Sequence, residues 1–212
     1  MDTYALLLAG NEPRHWRNIA SFGNYLWGET PLKPLNTKML FCHTLSKEEI
    51  LKEVSETFCQ AQAQQGRVVL LYAGHGGKGR FSPDGTIKNG IPYASLAQTI
   101  PWGVDFLFIN DSCYSGSALR SFQRASLVPD YGSIIASSAE DELSMSIVEE
   151  LIYNFRSRQL YTEAPNVFSI DTKVTEIEKD GKIILDLGPK IKKPYRKVLR
   201  VGKARDYWLF PK

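Results

Sequence analysis

A chain of 212 residues, 43% hydrophobic and 23% charged, can build one sizeable core; this excludes an intrinsically disordered protein and leaves little room for two domains. Its apolar runs fall well short of the ~18 residues that cross a bilayer, so no membrane partner is expected. The net charge of +3 is unevenly spread: residues 172–212 carry 12 Lys/Arg against 5 Asp/Glu, and the rest of the chain 14 against 18.

Tyr4–Ala9 (YALLLA) is a continuous apolar run of the kind buried on both faces of a parallel sheet, and Met39–Cys42 (MLFC) is a second strand candidate. A helix follows. Ser46 with Glu49 three residues on forms a capping box, and Ile50, Val54 and Phe58 recur at four-residue spacing with Leu51 and Ala61 on the same side. Gly66 ends that helix, and Val68–Ala73 (VVLLYA) is the third strand. FSPDGTIK predicts a turn between short strands with Asp84-Gly85 at its tip. Tyr93–Ile100 has the length of a short helix stopped by Pro101. Val104–Asn110 and Ser133–Ala136 are further buried strands, with a helix over Ser117–Arg124 between them. Ser146–Arg156 is helical by the spacing of Ile147, Leu151 and Phe155. Val174–Glu178 fits helix or strand, whereas Lys197–Val201 and Tyr207–Phe210 look like strands. Alternating strands and helices imply one α/β domain over residues 1–212, a mostly parallel central sheet with helices on both faces.

Ligands of such sheets bind beyond the carboxyl ends of the strands. Two ends carry reactive residues among small ones: Ala73-Gly74-His75-Gly76-Gly77, and Asn110-Asp111-Ser112-Cys113-Tyr114-Ser115-Gly116. A thiol beside an imidazole is the minimum for covalent catalysis, because the imidazole assists thiolate formation and then protonates the leaving amine. The backbone N–H groups of Gly76 and Cys113 are the candidates to receive an oxyanion. Each residue has a plainer reading, a small buried thiol for Cys113 and a turn or core histidine for His75. The pair at one sheet edge favours function.

Three cysteines cannot all pair, so a reducing, cytoplasmic setting is expected, and the N-terminal stretch lacks the basic region of a secretory leader. Cys42 and Cys59 are expected to be core or near-core thiols. His15 and His43 fall in connecting segments without visible partners. No metal-ligand spacing occurs, so no metal is expected. The acidic run Glu140-Asp141-Glu142 is expected to be a solvated loop, with calcium as its other reading.

An apolar strand ending in G-H-G, followed by an apolar strand ending in D-S-C-x-S-G, resembles the caspase-like cysteine peptidases, and specifically metacaspases and their prokaryotic relatives. The residues are Leu70–Gly76 and Phe108–Gly116. The caspase signature Q-A-C-[RQG]-G is not met, since Asp111 and Ser112 replace Gln and Ala. Ile134–Ala139 is similar to the next strand of that family, whose end borders the substrate cleft. The resemblance implies a caspase-like fold, a His75 general base and acid, a Cys113 nucleophile, and no required cofactor beyond the calcium some metacaspases use. It implies a protein or peptide substrate with Arg or Lys at the cleavage position, received by Asp111. Ser112, Ser137 and Glu12 are the other candidate substrate contacts. It also implies a regulatory, cell-death or defence role. Two other classes compete: a catalytically silent caspase-fold interaction module, and an adaptor that binds nucleic acid through Lys190–Arg205. The presence of both dyad residues opposes the first, and the basic stretch fits a solvated face of alternating strand residues better than the second.

Overall fold

The computed structural model describes residues 2–30, 34, 36–124, 131–138, 143–144, 146–149, 151–152 and 197–202. Short apolar runs bounded by turn residues become strands, and longer amphipathic stretches become the helices that cover them. In chain order these are β1 (Thr3–Ala9), α1 (Pro13–Glu29), β2 (Asn36–Phe41), α2 (Lys47–Ala63), β3 (Arg67–Ala73), β4 (His75–Gly77), β5 (Arg80–Ser82), β6 (Ile91–Pro92), α3 (Tyr93–Thr99), β7 (Asp105–Asp111), α4 (Ser117–Arg124), β8 (Tyr131–Ala136) and β9 (Lys197–Gly202). Six strands form the central sheet in the order β2-β1-β3-β7-β8-β9. The first five run parallel, and β9 pairs antiparallel with β8.

The register sorts side chains cleanly by parity. Leu6, Leu70, Phe108 and Ile134 stand side by side on one face, and Leu7, Leu71, Ile109 and Ile135 on the other. The first face packs on α2, α3 and α4 through Phe58, Leu96 and Phe122; the second packs on α1 through Ile19, Phe22 and Leu26, and on Ile147, Val148 and Leu151. Both faces of β1, β3 and β7 are therefore dry, which is why these strands are mostly apolar, whereas the edge strand β2 (NTKMLF) is half exposed. The expected α/β architecture with helices on both faces is what the chain adopts.

Several local expectations hold for physical reasons. Ser46 Oγ accepts the Glu49 N–H at 3.2 Å and Glu49 accepts the Ser46 N–H at 2.7 Å, closing the capping box. The turn after β5 is built on Asp84, whose carboxylate accepts from Thr86 N–H and Asn89 Nδ2, with Gly85 at φ 80° beside it.

Others need correction. Helix α1 was not anticipated. It is 17 residues long, starts with Pro13 in its first turn and buries Ile19, Phe22, Tyr25 and Leu26. His15 accordingly lies in a helix, buried, and not in a connecting segment. Cys42 is buried as expected but begins a single 3-10 turn (Cys42–Thr44) just past β2. His43 in that turn stacks on Trp16, so it does have a partner. Cys59 is exposed, because it lies off the Ile50–Val54–Phe58–Ala61 stripe that faces the sheet. Val174–Glu178, Tyr207–Phe210 and Glu140–Glu142 lie outside the described residues, as do residues 150 and 153–156 of the expected Ser146–Arg156 helix, of which 148–149 and 151–152 are helical.

Candidate active site

The parallel ladder runs on past the strands into the loops. Gly10 N–H donates to the Ala73 carbonyl at 2.9 Å, Gly74 N–H to Asp111 at 3.1 Å, and Ser137 N–H to Asn110 at 3.1 Å. The loops after β1, β3, β7 and β8 thus leave the sheet edge aligned, with His75 and Cys113 on the two central ones.

His75 opens a small second sheet, β4-β5-β6. Its carbonyl accepts the hydroxyl of the fully buried Tyr72 at 2.8 Å, which fixes the backbone under the imidazole. Gly76 follows because no side chain fits. A Cβ there would lie 2.1 Å from the Cys113 carbonyl oxygen and 2.7 Å from Ser112 Oγ. The His75 and Cys113 loops are in backbone contact at this point.

Strand β7 stops at Asp111, so alternation does not carry through to Cys113. The chain turns there with Tyr114 at φ 56°, a left-handed conformation uncommon for a non-glycine residue. Two bonds hold it: the Tyr114 carbonyl accepts Ser117 N–H at 3.0 Å and Ser117 Oγ–H at 2.6 Å, starting α4. The partly exposed Cys113 sulfur accepts the Ser144 N–H at 3.3 Å. Beneath the turn lies a buried set of hydroxyls. Ser137 Oγ and Ser138 Oγ both donate to the Ser112 carbonyl, at 3.1 and 3.2 Å, and Ser115 Oγ lies within 3.3 Å of both. On the α3 side, Asn110 donates to Tyr93 Oη at 2.9 Å and accepts from Ser112 Oγ at 2.9 Å. Buried polar groups of this kind are satisfied only in one arrangement, so they hold the turn. Ser112 and Ser137 were expected to touch substrate. Both are buried and spend their hydroxyls inside, so they shape the floor of the site from within.

Glu12 is the N-cap of α1, in a capping box with His15. Its Oε1 lies 2.8 Å from His75 Nε2, and Arg14 pairs with its Oε2. Slight burial works to raise the Glu12 carboxyl, but Arg14, His75 and His15 outweigh it and hold it below the usual carboxylate value. Glu12 therefore acts on His75, where the sequence suggested a substrate contact. With Nε2–H directed at Glu12, the Nδ1 lone pair on the opposite edge of the ring is left as the basic site. Gly85 backs the Nε2 edge, 3.2 Å from Cδ2 measured at its Cβ position. His15 stands edge-on to His75, ring centroids 5.2 Å apart, and burial pushes its pKa down to about 4, so it is neutral.

Asp111 faces α1. Its Oδ2 accepts Ser146 Oγ–H at 2.8 Å and Asn18 Nδ2 at 3.3 Å, and its Oδ1 accepts Ile147 N–H at 3.1 Å. Burial pushes its pKa up to about 6 against those donors and the nearby Arg14. The folded-state value lies above the ~3.9 of an unfolded chain, so Asp111 favours the fold below pH ~4 and loses that contribution as pH rises through 6. Asp111→Asn is expected to gain on wild type by about 2 kcal/mol between pH 4.5 and pH 7.5, read from urea unfolding at both pH values. A pH-independent difference would contradict the burial of this carboxylate.

His75, Cys113, Asp111, Arg14 and Ser144 line one small cleft. Within the described residues no hydrogen bond joins His75 to Cys113, since the sulfur contacts Ser144 and the imidazole Glu12. A larger groove, of about 570 Å³, lies between the start of α2 and the turn after β5, and neither His75 nor Cys113 lines it. No described helix is long and apolar enough to cross a membrane. The hydrogen-bonding roles of Asn18, Tyr72, Tyr93, Asn110 and Ser146 were not legible in the sequence, because their partners are set by the fold and not by spacing.

No family model matches the chain, and no curated protein matches its sequence. Solved structures do match. A Geobacter sulfurreducens protein is similar over 100% of this chain and 98% of its own, with a TM-score of 0.55 at 12% identity. Caspase-1 of Spodoptera frugiperda is similar over 97% of this chain and 91% of its own, with a TM-score of 0.51 at 13% identity. The fold is caspase-like.

Proposed function

We propose that this protein is a cysteine endopeptidase closest in kind to metacaspases and their prokaryotic relatives, acting after Arg or Lys through Cys113 and His75. One observation carries the reading: a half-exposed thiol and a Glu12-anchored imidazole line the same cleft at the carboxyl edge of a caspase-like sheet. His75 Nδ1 takes the Cys113 proton, and the thiolate adds to the scissile carbonyl. The oxyanion is met by the Gly76 and Cys113 N–H groups. The protonated His75, its charge balanced by Glu12, then gives its proton to the leaving amine, and water hydrolyses the thioester. The bond from Ser144 N–H to the Cys113 sulfur fits a thiol that turns to the imidazole when substrate enters. A regulatory role in cell death or defence, in the cytoplasm, is what the family resemblance implies. A cysteine-directed activity probe separates this from an interaction module or a nucleic-acid adaptor: labelling of Cys113 that depends on His75 supports the peptidase.

Basic specificity rests on Asp111. A carboxylate offers about four acceptor sites, and three are taken by Asn18, Ser146 and Ile147, leaving one on Oδ1 for a substrate cation. Arg14, which lines the same cleft, is engaged by Glu12. An acidic side chain in that place meets like charge, which costs several kcal/mol. Matched peptides carrying Arg or Asp at the cleavage position are therefore expected to differ by about 10²-fold or more in kcat/KM at pH 7.5. The ratio is expected to shrink below pH 6 as Asp111 gains its proton. Equal cleavage of both peptides, or an Asp111→Ala enzyme with unchanged preference, overturns this assignment.

A further inference from the structure

Chain spacing hides a group of ligand-class side chains that folding assembles. Glu12 comes from the loop after β1, His15 from the first turn of α1 and His75 from the start of β4, and one ligand atom of each lies within 4.8 Å of the other two. We propose that Glu12, His15 and His75 form a site for a divalent transition-metal ion of the zinc class, and that filling it silences the dyad; the silencing rests on the peptidase reading above.

Two imidazoles and a carboxylate are donors that suit zinc and its neighbours, whereas calcium and magnesium call for oxygen ligands. Ligands about 2.0–2.1 Å from a tetrahedral zinc stand about 3.3 Å from one another. One Glu12 oxygen, Oε1, lies 2.8 Å from His75 Nε2, the other, Oε2, lies 4.0 Å from His15 Nε2, and one ligand atom of each residue lies within 4.8 Å of the other two. A filled site draws them together through rotation of the partly exposed Glu12 and His75 side chains. The supports are stiff. His15 is buried and pinned at the start of a helix, and Tyr72 holds the His75 backbone. Glu12 and the His75 ring are each about one-third exposed, which leaves a solvent side for entry and for a water as fourth ligand.

The protons balance without a partner. In the metal-free protein His15 Nδ1 accepts the Glu12 N–H at 3.3 Å, so its own proton sits on Nε2, and His75 Nε2–H is directed at Glu12. Metal on both Nε2 atoms moves each proton to Nδ1. The long Glu12–His15 backbone bond is given up, and the exposed Arg14 releases the carboxylate it pairs with. His75 Nδ1 then carries a proton and cannot accept one from Cys113. Charge neutralisation at Glu12 and loss of the base occur in one event.

The test uses the full chain with Cys113→Ala and Cys59→Ser, so that no accessible thiol takes the probe. Zinc is titrated in competition with a chromogenic chelator. One ion per chain is expected at low micromolar zinc, with affinity falling at least about tenfold in His15→Asn and again in Glu12→Gln. Circular dichroism checks that the buried His15 variant folds, and the surface Glu12 variant decides if it does not. No binding, or binding that ignores both substitutions, overturns the site. On the wild-type enzyme, zinc is expected to block cleavage with the same midpoint as binding. Binding without inhibition overturns the silencing and leaves the site standing. A protein that binds zinc but never cleaves a peptide refutes the peptidase reading alone.

Discussion

Replacing Cys113 by alanine is expected to lower peptide hydrolysis by about 10⁴-fold or more, and His75→Ala by a similar factor, with the double variant little worse than either. The reason is that the two side chains act in one step. Without the sulfur there is no nucleophile for the imidazole to deprotonate, and without the imidazole the thiol has no base and the leaving amine no proton. Stability is expected to stay close to wild type. Cys113 is only partly buried, and the His75 imidazole is 33% exposed, so neither truncation opens a cavity in either core. Initial rates on a basic peptide, beside thermal unfolding of each variant, check both halves. Residual turnover within tenfold of wild type would remove Cys113 from the mechanism.

The second large effect is expected at Gly76. An alanine methyl there would sit 2.1 Å from the Cys113 carbonyl oxygen, against backbone that cannot rotate aside as a flexible side chain would. The two loops must separate, and Ser112 Oγ, 2.7 Å from the same point, must move with them. A displacement of about 1 Å between reacting groups costs on the order of 10²-fold in rate. Gly76→Ala is therefore expected to lose at least that much kcat/KM, with some loss of stability from overpacking. Gly77→Ala is the control, since the nearest atom to its Cβ is Arg80 Cγ at 3.7 Å. Equal activity of the two variants would mean that the loops do not meet as described.

The parts legible from sequence were those written in periodic apolar residues or turn chemistry. The run YALLLA, the Ser46–Glu49 box and the Asp84-Gly85 tip each state their structure locally. The two strand-end motifs placed His75 and Cys113 at one sheet edge because each follows directly on an apolar run that reads as a buried strand. Helix α1 was not legible. Its apolar side chains are interrupted by the buried polar His15 and Asn18 and the buried Gly23, and its N-cap is Glu12 where Ser, Thr, Asp or Asn is usual. Missing that helix also hid the role of Glu12, which looked like a loop acid near the cleft and instead faces His75 from a helix end. Asp111 was read for its charge, but its burial and its three protein donors depend on Asn18, Ser146 and Ile147, distant in sequence.

The three backbone hydrogen bonds that extend the ladder into the loops, from Gly10, Gly74 and Ser137, are made by main-chain atoms alone. They ask nothing of side-chain identity, so drift in sequence leaves them intact so long as both faces of the sheet stay apolar. Structures of similar fold at 12% and 13% identity show how few side-chain identities the fold itself requires. Divergence of this kind is constrained mainly where no side chain fits at all. Gly76 is such a position among the described residues, and drift there is expected to be slow.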